Sequence, residues 1–299
     1  MQYLVLDVGG SAIKYALSDA NYNFSERGSL ANGNWSSSEE FIEAIGGLFD
    51  PVADKVTGIA ISTCGELDPK SGLMYTGGYL SFNAGMNVID VVEARCGRRT
   101  TVENDANCAL LAEFHDGALS DCTNAVAIVI GTGVGGAVLI NKAIYHGSHF
   151  YSGNASPMMV RIEGHYVWDN AFATQNGVRG LTEVFAEAKG LPAGSVDGRA
   201  FFAALADGDQ AAAGILDAFS GRLAGMIFNL HCVLDVDAFA IGGGISVQPV
   251  LLETVLAKVD AIYAGTRWPL PKPAVRVCRH FNDANLRGAL YHHLHTAPL

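Results

Sequence analysis

Charge is scarce in this chain, and positive charge is scarcest. Asp, Glu, Lys and Arg make up 16% of its 299 residues, with 19 Lys and Arg against 30 Asp and Glu, a net charge of -11. A general nucleic-acid role needs a basic face, so that class is excluded; a small anion held by backbone amides is not. Nowhere do about eighteen apolar residues follow one another, so no membrane span is expected. The N-terminus enters a strand-like segment with neither a basic n-region nor an apolar h-region, which makes a cytoplasmic protein the expectation. The six cysteines (Cys64, Cys96, Cys108, Cys122, Cys232 and Cys278) include no CxxC pair. They are expected as buried free thiols, not as disulfides or a zinc site. His146, His149 and His165 lack a cysteine or paired carboxylate that would complete a metal set.

Apolar strand and glycine turn are abundant instead. Hydrophobic residues make up 49% of the sequence, enough for large cores, and the length exceeds that of one usual domain, so two packed lobes are expected. Two stretches share one build of apolar run, glycine turn and second apolar run. They are Leu4-Val5-Leu6-Asp7-Val8-Gly9-Gly10-Ser11-Ala12-Ile13-Lys14 and Ala127-Ile128-Val129-Ile130-Gly131-Thr132-Gly133-Val134-Gly135-Gly136-Ala137-Val138. Neither is a Walker loop, which enters a helix through GxxxxGK[ST]. The second is no dinucleotide fingerprint, because the apolar Ala137-Val138-Leu139-Ile140 continues it as a strand.

The spacing predicts strands over 2–8 and 12–18 as an antiparallel pair, and a helix from Ser37 to Phe49 capped by Ser37 or Ser38. Further strands are expected at 57–63, 73–76, 99–102, 125–130, 237–241 and 276–279. Helices are expected at 106–114, 177–189, 201–205, 210–230 and 247–264, with a last one opening at Asn282-Asp283-Ala284-Asn285. The tetrapeptide Asn-Asp-Ala-Asn occurs at 104–107 and again at 282–285, each time between strand and helix. The repetition suggests two lobes on one plan, with the last helix returning to the first.

Glycine turns let backbone N–H groups converge on an anion. Thr132 adds a hydroxyl, Asp7 a carboxylate able to hold Mg²⁺ through water, and Lys14 a positive charge. Gly242-Gly243-Gly244 follows a third buried strand. Asp105 opens a helix, where the dipole favours its anion, and an ionised carboxylate there suits phosphoryl transfer. Asp283 in the second tetrapeptide is expected to be only an N-cap. His292, His293 and His295 are expected on the surface of the last helix.

In order and in combination, these motifs resemble the ROK family of bacterial sugar kinases and repressors, within the actin-like sugar-kinase superfamily. The likeness covers nearly the whole chain and includes Glu103-Asn104-Asp105-Ala106-Asn107 and Ile241-Gly242-Gly243-Gly244-Ile245-Ser246. It implies an α/β protein with a two-lobed actin-like (ribonuclease H-like) ATPase fold and a central cleft. The expected lobes are 1–116, joined by 284–299, and 117–283. It implies ATP-dependent phosphorylation of a sugar hydroxyl, usually the 6-hydroxyl, with Asp105 as base. Gly65, Asn83, Asn104 and Asn154 would line the sugar. Asp7, Gly9, Gly10, Ser11 and Lys14 would form the first phosphate loop and Gly131, Thr132 and Gly133 the second, with Gly243 and Gly244 by the nucleoside. ATP and Mg²⁺ are the implied cofactors, a homodimer the implied assembly, and neither nucleic acid nor membrane an implied partner.

Two departures stand out. The cysteine-rich zinc motif of many members is missing, which points to a zinc-free, β-glucoside-kinase-like branch. Where members carry Gly-Glu-x-Gly-His or Gly-Glu-x-Gly-Tyr, this chain has Gly153-Asn154-Ala155-Ser156-Pro157, so an amide replaces a carboxylate. The alternative is therefore a non-catalytic sugar-binding or sensing regulator. ROK repressors begin with a helix-turn-helix, whereas this sequence begins in the phosphate-loop strand.

Overall fold

The computed structural model describes residues 1–32, 35–162 and 164–297. The last two positions of the expected returning stretch 284–299 lie outside these. The chain divides into two compact units. The first comprises Met1–Asp116, His146–Tyr151 and Asn282–Leu299; the second comprises Gly117–Tyr145 and Ser152–Phe281.

In the first unit, β1 (Gln2–Val8), β2 (Ala12–Ser18), β3 (Phe24–Ala31), β4 (Val56–Thr63) and β5 (Arg99–Asn104) form one sheet in the order β3-β2-β1-β4-β5. The β1–β2 and β2–β3 pairs are antiparallel, and β4 and β5 add in parallel. Alternation along β1 sorts its side chains between two layers. Leu4, Leu6 and Val8 face a core shared with Phe41 and Ile45 of α1 (Ser38–Phe49) and Val92 of α2 (Val88–Cys96). Val5 faces the other way, toward Leu286, Ala289 and Leu290 of α9 (Ala284–His295). α9 lies over β1, β4 and β5 and packs against α3 (Asp105–Asp116).

The second unit repeats the order. Its strands are β6 (Ala125–Ile130), β7 (Val134–Ile140), β8 (Ala143–Ile144), β9 (Ala238–Gly242) and β10 (Ala274–Val277), arranged β10-β9-β6-β7-β8. Substituting β6 for β1, β7 for β2 and so on reproduces the first sheet, antiparallel and parallel pairs included. Its helices are α4 (Phe172–Asn176), α5 (Arg179–Ala188), α6 (Gly198–Ala206), α7 (Gln210–Leu234) and α8 (Pro249–Ala264). α7 is long and apolar enough to cross a membrane by length and composition. Its Leu216, Phe219, Leu223 and Ile227 are nevertheless buried with Phe201 and Phe239 in the core of this unit.

Several expectations need correction. Strand β3 and helix α2 were not anticipated, and residues 73–76 form isolated bridges instead of a strand. Ser37 caps α1 as expected, accepting from the backbone N–H of Glu40. Asp283 makes no capping bond; its carboxylate takes a two-pronged hydrogen bond from Arg27 at 2.5 and 3.0 Å. Cys232 is exposed, while the other five cysteines are buried and free. His293 is 2% exposed, not a surface residue, with Nδ1 2.9 Å from Thr101 Oγ1. Burial, then Arg99 and His292, push its pKa down to about 4.

Helix α9 crosses α3 where Gly288 touches backbone: a β-carbon there would overlap the Cys108 carbonyl. Neither backbone can yield without moving its whole helix. Gly288→Ala should therefore destabilise the protein by about 1–3 kcal/mol, despite alanine's better helix propensity. Chemical denaturation checks this, and an unchanged or raised midpoint contradicts it.

Candidate active site

The predicted residues of the first unit gather at the carboxyl ends of β1, β4 and β5. The strand registers explain why. Asp7 lies beside Ser62 and Ser62 beside Glu103, so three polar side chains form one row across parallel neighbours. Val8, Thr63 and Asn104 form the next row. Asp7 is 7% exposed. Its Oδ1 accepts from Nδ2 of Asn285 at 2.9 Å and from Ser62 Oγ at 3.3 Å. Lys14 is its cross-strand partner, which brings Nζ to 4.0 Å from Oδ2. The Gly9-Gly10-Ser11 turn is closed by Gly9 N–H on the Ala12 carbonyl. It is also pinned from Asn32, whose backbone N–H donates to Ser11 and whose Nδ2 donates to Gly9.

Asn104, not Asp105, does the capping at the start of α3. Its Oδ1 accepts from the backbone N–H of Ala106 at 2.9 Å and of Asn107 at 3.3 Å, and its Nδ2 donates to the Gly65 carbonyl at 3.1 Å. Asn104 and Gly65 are thereby joined. The segment carrying Gly78 packs on Gly65, and Asn83, five positions on, is 2% exposed with an Oδ1 that has no hydrogen-bond partner among the described residues. A buried acceptor left unpaired costs about 1–3 kcal/mol, so it marks a place for a donor.

Asp105 is half-buried, with Oδ1 accepting from the Ala106 N–H at 2.8 Å. The helix terminus was expected to favour its anion; burial outweighs that. Burial raises its pKa to about 6, and the negative charge of Asp7 adds to the rise, against the Ala106 hydrogen bond. Two residues away, Glu103 goes the other way. Burial alone would raise it, but the His146 hydrogen bond, the nearby His292 and His146, and Asn107 together lower it.

In the second unit, Gly131, Thr132 and Gly133 form the β6–β7 turn, closed by Gly131 N–H on the Gly133 carbonyl. Gly243, at φ +93°, sits directly against β6, where a β-carbon would overlap the Ile130 carbonyl. Gly243 thus lies beside the end of β6 from which the Gly131-Thr132-Gly133 turn leads off. Asn154 also belongs to this unit, with Oδ1 accepting from Ser156 N–H at 3.2 Å. Among the described residues no cluster of three or more His, Cys, Asp or Glu has metal-binding geometry. A shallow depression of about 550 Å³ lies by Lys14, Arg27 and Asp283, beside the first turn but without Asp105.

Sequence reasoning missed Ser62, Asn107, Asn285 and His146 as partners of the buried carboxylates. The repeated tetrapeptide held part of the signal. Its fourth residue donates to a carboxylate in both copies, Asn107 to Glu103 and Asn285 to Asp7.

Two sheets of one topology, each with a glycine turn between its first two strands, define the actin-like two-lobed ATPase fold. More narrowly, the chain belongs to the ROK family, whose model matches residues 3–295. It is 30% identical over 295 residues to the beta-glucoside kinase of Klebsiella pneumoniae, covering 98% of this chain and 96% of that one. The Lmo2764 protein of Listeria monocytogenes is similar in structure, with a TM-score of 0.89 at 27% identity over 98% and 99% of the two chains. A ROK family glucokinase from Streptomyces griseus, solved with glucose and AMPPNP, shares the fold at 21% identity, with a TM-score of 0.81 over 97% and 98%.

Carbon-13 NMR of the free protein should show the Asp105 carboxyl titrating near pH 6, and Asp7→Asn should lower that midpoint. Between the ordinary value of 3.8 and about 6 the folded state holds a proton that the unfolded chain has released. This group's contribution to stability is therefore lost as pH rises through that window. A midpoint near 3.8 contradicts the assignment.

Proposed function

We propose that this chain is an ATP-dependent sugar kinase in which Asp105 is the general base. The observation that carries the reading is Asp105 itself. It stands at the head of α3 beside the joined Asn104 and Gly65, with a pKa raised to about 6 by burial and by Asp7. A base is most effective when its pKa lies just below working pH, and this carboxylate is ionised at neutrality yet still proton-hungry. In the reaction a sugar hydroxyl gives its proton to Asp105 as its oxygen bonds to the γ-phosphorus. The bond to the β–γ bridging oxygen breaks and ADP leaves. The transition state is loose, so orientation and charge neutralisation matter more than strong deprotonation.

Mg·ATP enters as a substrate, and the residues present fit it. Asn285 and Ser62 both use Oδ1 of Asp7, while Lys14 Nζ stands 4.0 Å from Oδ2, an oxygen that suits a water-mediated Mg²⁺ contact. In the first unit Gly9, Gly10, Ser11 and Lys14 are the proposed phosphate-binding residues; in the second they are Gly131, Thr132 and Gly133, with Gly243 and Gly244 proposed for the nucleoside. The unpartnered Oδ1 of Asn83 suits a sugar hydroxyl donor, the second Nδ2–H of Asn104 suits a hydroxyl acceptor, and the amide of Asn154 is the third proposed sugar contact. The substrate class is a hexose, amino sugar or glucoside, phosphorylated at O6, by a cytoplasmic homodimer.

Coupled ADP detection over glucose, mannose, N-acetylated hexosamines and β-glucosides tests this reading. ADP release with at least one sugar is expected, and sugar binding without ADP release across the panel favours a sensing regulator instead. Asp105→Asn should abolish turnover while ATP binding persists, and substantial sugar-dependent activity in that variant rules out Asp105 as base.

A further inference from the structure

Glu103 is 1% exposed and has no part in the transfer described above. Its Oε1 accepts from the backbone N–H of Asn104 at 2.8 Å and from Nδ2 of Asn107 at 2.9 Å. Its Oε2 lies 2.8 Å from Nε2 of His146, and His292 Nδ1 stands at 3.9 Å. Because the partners hold Glu103 below its ordinary pKa, it is an anion that can only accept. Nε2 of His146 therefore carries the proton. His292 is pushed down by burial, against the pull of Glu103.

His146 comes from far along the chain. It opens the segment His146–Tyr151, which groups with the first unit although the chain on both sides groups with the second. Four residues on, Phe150 stacks on Tyr75 with ring centroids 5.5 Å apart and planes at 16°. Phe150 takes a left-handed backbone, φ +55°, which a bulky residue adopts only when its surroundings enforce it. The segment is thus pinned twice. One pin is Glu103, which fixes the Asn104 backbone; the other is Tyr75, whose N–H donates to Glu66 beside Gly65.

We propose that Glu103 and His146 are positioning residues. Their hydrogen bond fastens segment 146–151 to the turn bearing Asn104 and Asp105 and holds that turn in register for the acceptor sugar. The activity arm of the test rests on the kinase reading; the exchange arm does not.

The test compares His146→Leu, which cannot donate, with His146→Gln, whose amide can. Hydrogen exchange is followed in peptides covering 102–107 and 146–151, alongside melting temperature and the kcat and KM for sugar and ATP. In His146→Leu both peptides should exchange faster. Its kcat/KM for sugar should fall at least about tenfold while KM for ATP stays within about twofold, since small misplacements of reacting groups cost this much. His146→Gln should restore most of both. If His146→Leu does not fold, His146→Asn takes its place, being polar but too short to reach Oε2. Unchanged exchange in 102–107 overturns the proposal. So does a loss shared equally by sugar and ATP constants that tracks melting temperature and is not restored by glutamine. A wild-type protein that phosphorylates no sugar tried counts against the kinase reading alone, because the exchange comparison needs no substrate.

Discussion

The first unit depends on a row of polar groups buried where a sheet would ordinarily be apolar. Asp7, Ser62 and Glu103 sit side by side across β1, β4 and β5, on the face covered by α3 and α9. A buried carboxylate is tolerated only when donors surround it. Each helix supplies one of these donors: Asn107 reaches Glu103 and Asn285 reaches Asp7. This need explains why the last helix belongs with the first unit, and why Gly288 must let it approach α3 so closely.

The same row sets two neighbouring carboxylates to opposite tasks. Glu103 has three hydrogen-bond donors and is held as an anion; Asp105, with fewer and with Asp7 nearby, is pushed toward its neutral form. Environments that drive paired carboxyl groups apart are a usual mark of acid–base chemistry. In the proposed mechanism Glu103 is the fixed anchor and Asp105 the group that exchanges a proton. The helix N-terminus, which might have made Asp105 strongly acidic, is largely occupied by Asn104.

Much of the fold was legible because it is written in local pattern. The hairpins around Gly9-Gly10-Ser11 and Gly131-Thr132-Gly133 follow from apolar runs interrupted by glycine, and the repeat of the sheet order was foreshadowed by those turns. Strand β3 escaped notice because it is an edge strand with mostly exposed polar residues, carrying little hydrophobic signal. Helix α2 had its signals in Asn87, which caps it, and in Gly97 at φ +64°, but its weak amphipathicity hid them. The candidate site was legible in its glycines and in Asp105. Its supports were not, since the His146–Glu103 and Asn285–Asp7 contacts join residues 43 and 278 positions apart. The raised pKa of Asp105 was likewise beyond the sequence, because burial is a property of the packed chain.

The central claim is that Asp105, perturbed in this way, takes the proton in phosphoryl transfer to a sugar. The most direct measurement is the pH dependence of kcat/KM for the acceptor sugar at saturating Mg·ATP. The account requires a limb of unit slope below about pH 6, levelling above it, because only the ionised carboxylate can accept the proton. A profile that stays flat from pH 7 down through 5 would contradict it.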